Sequence, residues 1–104
     1  MSIQDKHSFH VSLFKHLANS RRLAILYILL ERPHSVQELL KKTKLSQAIL
    51  AQQLAKLRKA LLVIDKRFGK GDERYSNSQR MYYLANIKTA EILKIMKGIK
   101  EPPQ

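Results

Sequence analysis

The segment Ser46–Leu61 holds the side chains with the most legible chemistry. Gln47 and Gln52 each present an amide donor beside an amide acceptor. That pair matches N6 and N7 of adenine, read along the major groove of a DNA duplex. Ala48 and Ala51 stand beside them. Small residues let a helix come close to a surface, and an alanine methyl can meet the methyl of thymine. Lys56 and Lys59 follow on the same face, and Lys42 and Lys44 precede it. Lys66, Arg67, Lys70, Arg74 and Arg80 lie beyond it. Such cations suit phosphate oxygens, which position a protein without specifying sequence. Residues 41–80 hold eleven Lys/Arg against three acids, a local +8 of the chain's +12.

Other chemistries are poorly served. There is no cysteine, which removes disulfides, thiolate metal sites and thiol redox sensing. His7 and His10 sit three residues apart and could share one side of a helix, with His16 further on; no third ligand is obvious within the chain, though a dimer could supply one. His34 falls in a turn after Pro33 and has no evident role. No nucleophile with a base, no glycine-rich phosphate loop and no acid/base pair can be assembled, so we expect no enzyme activity, no cofactor and no metal site. A pI near 10.2 favours polyanionic partners. The longest apolar run, Leu23–Leu30, is too short to cross a bilayer, and no signal-peptide core is visible. The expectation is a cytoplasmic protein with no membrane partner.

The elements that must carry these residues can be read from spacing. At 104 residues the chain is expected to form one domain, with frayed tails at 1–6 and 101–104. Phe9, Leu13, Phe14 and Leu17 recur at helical spacing. After the cap at Asn19-Ser20, Arg21–Arg32 is apolar nearly all round and belongs at the centre. Ser35 with Glu38 forms a capping box for a helix through Lys42. Lys42–Leu45 leaves room only for a tight turn before the Ser46–Leu61 helix, whose stripe is Leu50, Leu54, Leu57 and Leu61. Two helices so joined form a helix-turn-helix. Leu62-Val63-Ile64 and Arg80–Leu84 read as strands around a polar turn, Gly69–Ser78. Asn86 can cap a last helix with Ile92, Ile95, Met96 and Ile99 on one side. The class is mainly α with a small β-hairpin, in the order α-α-α-α-β-β-α, a winged helix-turn-helix.

The sequence resembles the ArsR/SmtB family across residues 13–99. Leu17–Leu26 is similar to that family's opening, Ser35–Leu39 to its capped second segment, and Leu45-Ser46-Gln47 with Leu54–Arg58 and Leu62-Val63 to its recognition helix. Tyr82-Tyr83-Leu84 resembles the end of its wing. The resemblance implies a homodimeric DNA-binding regulator. Departures are visible: Ala48 and Ala51 replace common serines, Gln53 a common histidine, and Leu61 a common glycine. The turn between the strands is longer, Val36 and Gln37 stand where metal sensors have cysteines, and Lys88–Ile99 has no histidine.

The expected function is therefore a homodimeric, sequence-specific, double-stranded-DNA-binding transcriptional regulator, a repressor in the prokaryotic nucleoid. The dimer interface would use Phe9, Leu13, Ile92, Ile95, Met96 and Ile99. The residues name no effector. The rival reading is a sequence-neutral or chromatin-organising winged-helix protein, kept open by the alanine face and the high charge. Protein–protein use of the fold would not call for this charge excess.

Overall fold

The computed structural model describes residues 6–68 and 79–103. Residues 1–5, Gln104 and the turn Gly69–Ser78, with Lys70 and Arg74, lie outside the described residues.

Each helix after the first begins where a short polar side chain satisfies a free backbone N–H. α1 spans Ser8–Leu17 and α2 Ser20–Glu31, the latter capped by Asn19, whose Oδ1 accepts from the Arg22 N–H at 3.1 Å. β1 is the two-residue strand His34–Ser35. α3 spans Val36–Thr43. Its capping box is complete: the Glu38 N–H donates to Ser35 Oγ at 3.2 Å, and the Ser35 N–H donates to Glu38 Oε1 at 3.0 Å. α4 spans Gln47–Lys59, with Ser46 Oγ accepting from the Ile49 N–H at 3.2 Å. β2 (Val63–Phe68) and β3 (Gln79–Leu84) form the hairpin, and α5 spans Ile87–Lys97 behind the Asn86 cap.

The link between α3 and α4 is as tight as its length required. Lys44 takes the left-handed conformation at φ 58°, and its N–H closes on Leu40 O at 2.9 Å. α4 ends before the expected Leu61. Leu61 itself sits at φ 62° and is 73% exposed, so it leaves the leucine stripe that Leu50, Leu54 and Leu57 complete. A left-handed residue ends a helix, and glycine is the residue that does so without strain.

The sheet has three strands, not two, in the antiparallel order β1-β3-β2. His34 pairs with Tyr82 and Ser35 with Met81, while β2 runs against β3 from Val63↔Leu84 to Phe68↔Gln79. A two-residue strand has no readable periodicity, which is why only the hairpin was legible. β1 welds the start of the helix-turn-helix to the wing.

α2 is the central element. It packs against α1, α3, α4, α5 and β3, and contributes Ile25, Leu26 and Leu29 to the core. Leu39, Leu50, Leu54, Leu57, Leu62, Val63, Tyr82 and Leu93 close around them.

Candidate nucleic-acid interface

α4 buries Leu50, Gln53, Leu54 and Leu57 and turns its other face outward. Gln47, Ala48, Ala51, Gln52, Lys56 and Lys59 lie on that outward face. Lys44, Lys56 and Lys59 form no ion pair among the described residues. A depression of about 390 Å³ runs alongside, lined by Val36, Gln47, Ala48, Ala51, Leu54 and Tyr82. Its wall is mostly aliphatic, so this edge of the outward face offers contact to apolar groups rather than hydrogen bonds.

Gln53 is the exception on α4. It is 5% exposed, and its Oε1 accepts from Arg22 Nη1 at 3.2 Å. Arg22 Nε also donates to His16 O at 3.4 Å. One guanidinium therefore ties α1, α2 and α4 together, and Gln53 fixes α4 from behind. His16 lies against the same junction. Burial, then the nearby Arg22 and Lys56 charges, push its pKa down. Its Nδ1 is buried and has no hydrogen-bond partner among the described residues.

The wing root is organised differently. Asp65 on β2 is nearly covered and receives Arg58 Nε at 3.0 Å and Arg80 Nε at 3.2 Å. Arg80, expected to serve phosphate, is thus paired with the protein's own carboxylate, although its side chain stays exposed. The Lys66 ammonium stands 6.0 Å from the Tyr83 ring, and Arg67 is exposed. A single acid in a run of cations is the only sequence signal that Asp65 carried.

Lys42 is also engaged. Its ammonium lies 2.9 Å from His34 Nε2 and 3.9 Å from Glu31. His34 is not in an open turn; it is fully buried on β1. Nothing in local spacing announces that burial, because the strand pairs with residues nearly fifty positions away. At the far side of α3, Arg32 Nη2 donates to Glu38 at 2.7 Å. That bond and the Ser35 N–H hold the Glu38 carboxyl down to a pKa of about 2.

The dimer candidates divide. Phe9, Ile95 and Ile99 are 72%, 68% and 73% exposed, as are Phe14 and Val11 in large part. Leu13, Ile92 and Met96 are half-buried and pack on the protomer's own core. His7 and His10 stack at 6.4 Å, and among the described residues no group of three metal-binding side chains assembles. No described helix is long and apolar enough to cross a membrane.

Comparisons with known proteins agree on the fold and the family. The profile of the bacterial regulatory protein arsR family matches residues 19–65. The transcriptional activator HlyU of Vibrio cholerae is 51% identical over 53 residues, which is 51% of this chain and 49% of the relative; the aligned stretch thus spans about half of that protein. The structure of HlyU from V. cholerae superposes with a TM-score of 0.74 at 31% identity, covering 90% of this chain and 94% of that one. The transcriptional repressor BigR from Xylella fastidiosa gives 0.73 at 28%, covering 97% and 100%. A homodimeric winged helix-turn-helix DNA-binding domain from Mycobacterium bovis shares the fold, with a TM-score of 0.73 at 22% identity over 93% of this chain and 87% of that one. With the arsR profile lying across the helix-turn-helix and HlyU matched along nearly its whole length, this chain belongs to the ArsR family of bacterial regulatory proteins.

Proposed function

We propose that the protein is a homodimeric, sequence-specific transcriptional regulator of double-stranded DNA, acting as a repressor on the bacterial nucleoid. The observation that carries this reading is the outward face of α4, where two glutamines, two alanines and unpaired lysines share one exposed surface. Gln47 and Gln52 read adenine, Ala48 and Ala51 meet thymine methyls, and Lys44, Lys56 and Lys59 hold phosphate. Lys66 and Arg67 follow the flanking backbone from the wing.

Exposed apolar surface supports the dimer. Phe9, Val11 and Phe14 on α1 and Ile95 on α5, with Ile99 just beyond, are too many large apolar groups for a lone small domain to leave in water. A closed two-fold pair then presents two α4 helices to two major grooves, and the operator is a pseudo-palindrome.

Selection of bound fragments from genomic DNA at physiological salt tests the reading, with sedimentation of the free protein beside it. One two-fold motif and a dimer are expected. Gln52→Ala should lose about 1–3 kcal/mol of discrimination between that motif and random DNA, the worth of one bidentate bond to a base. Equal losses on both duplexes would remove Gln52 from the readers. The alanine-rich face and the +12 charge favour a second reading, sequence-neutral coating of DNA. Recovery of fragments with no motif at either low or physiological salt would establish it.

A further inference from the structure

His34 and Lys42 form a pair with only one chemically consistent arrangement. The imidazole is completely buried, at 0% exposure, on the strand that joins the helix-turn-helix to the wing. Its Nδ1 lies 2.7 Å from the Arg32 carbonyl oxygen. A carbonyl can only accept, so Nδ1 carries the hydrogen. Its Nε2 lies 2.9 Å from the Lys42 ammonium. An ammonium can only donate, so Nε2 is bare and accepts. While Lys42 sits there, the ring is neutral in this one tautomer. Lys42 comes from the last turn of α3, just before the turn that leads into the reading helix, and its side chain is 42% exposed.

The surrounding charges are few. Glu31 and Arg32 face the pair from the end of α2, Glu38 from α3, and Tyr82 of β3 pairs with His34 across the sheet. Arg32 and Glu38 are paired with each other at 2.7 Å. Glu31 lies 3.9 Å from the Lys42 ammonium.

We infer that His34 is a positioning residue for Lys42, and that transfer of Lys42 from the His34 ring to a DNA phosphate is coupled to uptake of a proton by His34. This rests on the DNA-binding reading above. An ammonium cannot sit against a buried imidazole and reach a phosphate outside at once. When Lys42 leaves, the buried Nε2 loses its donor, an arrangement proteins avoid. The Lys42 ammonium and a proton compete for the single lone pair of Nε2, so a proton there bars Lys42 from returning. DNA and protons therefore favour the same state. By linkage, DNA affinity rises as pH falls, with a slope of at most about one proton per protomer, or about tenfold per pH unit. Histidine is the side chain whose charge ordinarily changes between about pH 5 and 8.

The experiment is fluorescence anisotropy on a labelled 30-base-pair random duplex at fixed salt, from about pH 8.5 to about pH 5.5, across the histidine range. Wild-type protein is compared with Lys42→Met and His34→Gln. His7, His10 and His16 are present in all three, so the difference in slope isolates the pair. Between about pH 8 and about pH 6, wild-type affinity should gain about three- to tenfold more than either variant. His34→Gln alters a buried position; Lys42→Met alters a surface one and keeps the test available if the first fails to fold. Histidine ring NMR of the free protein gives a readout without DNA: His34 should hold the Nδ1–H tautomer in wild type and protonate more readily in Lys42→Met. Equal pH slopes in wild type and Lys42→Met would overturn the coupling while leaving DNA binding intact. Absence of duplex binding at every pH would sink the DNA reading and the coupling with it. An unchanged His34 titration in Lys42→Met would overturn the coupling too, since the lysine would not govern the ring.

Discussion

Helix α4 and the wing root both carry cations, yet they hold them in opposite ways. On α4, Lys56 and Lys59 stand in solvent without ion pairs among the described residues. At the wing root, Asp65 receives both Arg58 and Arg80, and the carboxylate is only 15% exposed. Charge left unpaired is available to a polyanion; charge clamped by a covered carboxylate shapes the hairpin instead. Net charge therefore overstates the binding surface, because part of it is committed to the fold. Arg58 even sits on α4 itself, with Lys56 and Lys59 as near neighbours, and still turns to the sheet.

The contrast can be broken most severely on α4. The double variant Lys56→Ala with Lys59→Ala should cut DNA affinity by at least about tenfold at physiological salt. Each phosphate that is no longer neutralised should flatten the slope of log K against log salt by about 0.9. Titration of a duplex at several salt concentrations checks both numbers, and an unchanged slope would show that these lysines only solvate the helix. The wing should respond with the opposite sign. Asp65→Asn leaves Arg58 and Arg80 without their acceptor charge and frees them for phosphate. We expect binding to random DNA to tighten by about threefold and the salt slope to steepen by up to about 0.9 per arginine recruited. Thermal melting should meanwhile show a loss of about 1 kcal/mol, since both arginines keep nearly half their side-chain surface in water and the ion pairs are screened.

A smaller effect belongs to the end of the reading helix. Leu61 is held at φ 62° with its side chain in water, so Leu61→Gly removes strain and gives up little buried surface. Stability should rise by about 1 kcal/mol, read as a higher melting temperature, with DNA affinity unchanged. The smallest effect is at the cap of α3. The Glu38 carboxyl, held at about 2 instead of the usual 4.5, stabilises the fold in its ionised form. That contribution is complete above pH 4.5 and disappears as pH falls through about 2. Arg32 and Glu38 keep 51% and 37% of their side-chain surface in water, so the effect is modest. Melting curves of wild type and Glu38→Gln should converge at the acid end; a constant gap down to about pH 2 would mean that the cap acts without its charge.

Much of this molecule is written in short-range pattern. The capping box at Ser35 and Glu38, the tight link at Lys42–Leu45 and the leucine stripe of α4 are local, because a helix hydrogen-bonds within four residues and repeats its faces every turn. Those features set the helix order, the outward placement of Gln47 and Gln52, and the central role of the apolar helix at 20–31. Solvent exposure of Lys56 and Lys59 followed from the same geometry. What spacing could not decide was partnership across distance. β1 exists only because His34 and Ser35 meet Tyr82 and Met81. Arg80 is neutralised by a residue on the neighbouring strand, Gln53 faces Arg22 across the core, and Lys42 lies on a buried ring. Two residues of like type, Lys42 and Lys59, are indistinguishable in a sequence. The tertiary structure separates them, since a hydrogen bond or ion pair depends on a gap of about 3 Å that the packing of distant segments alone sets.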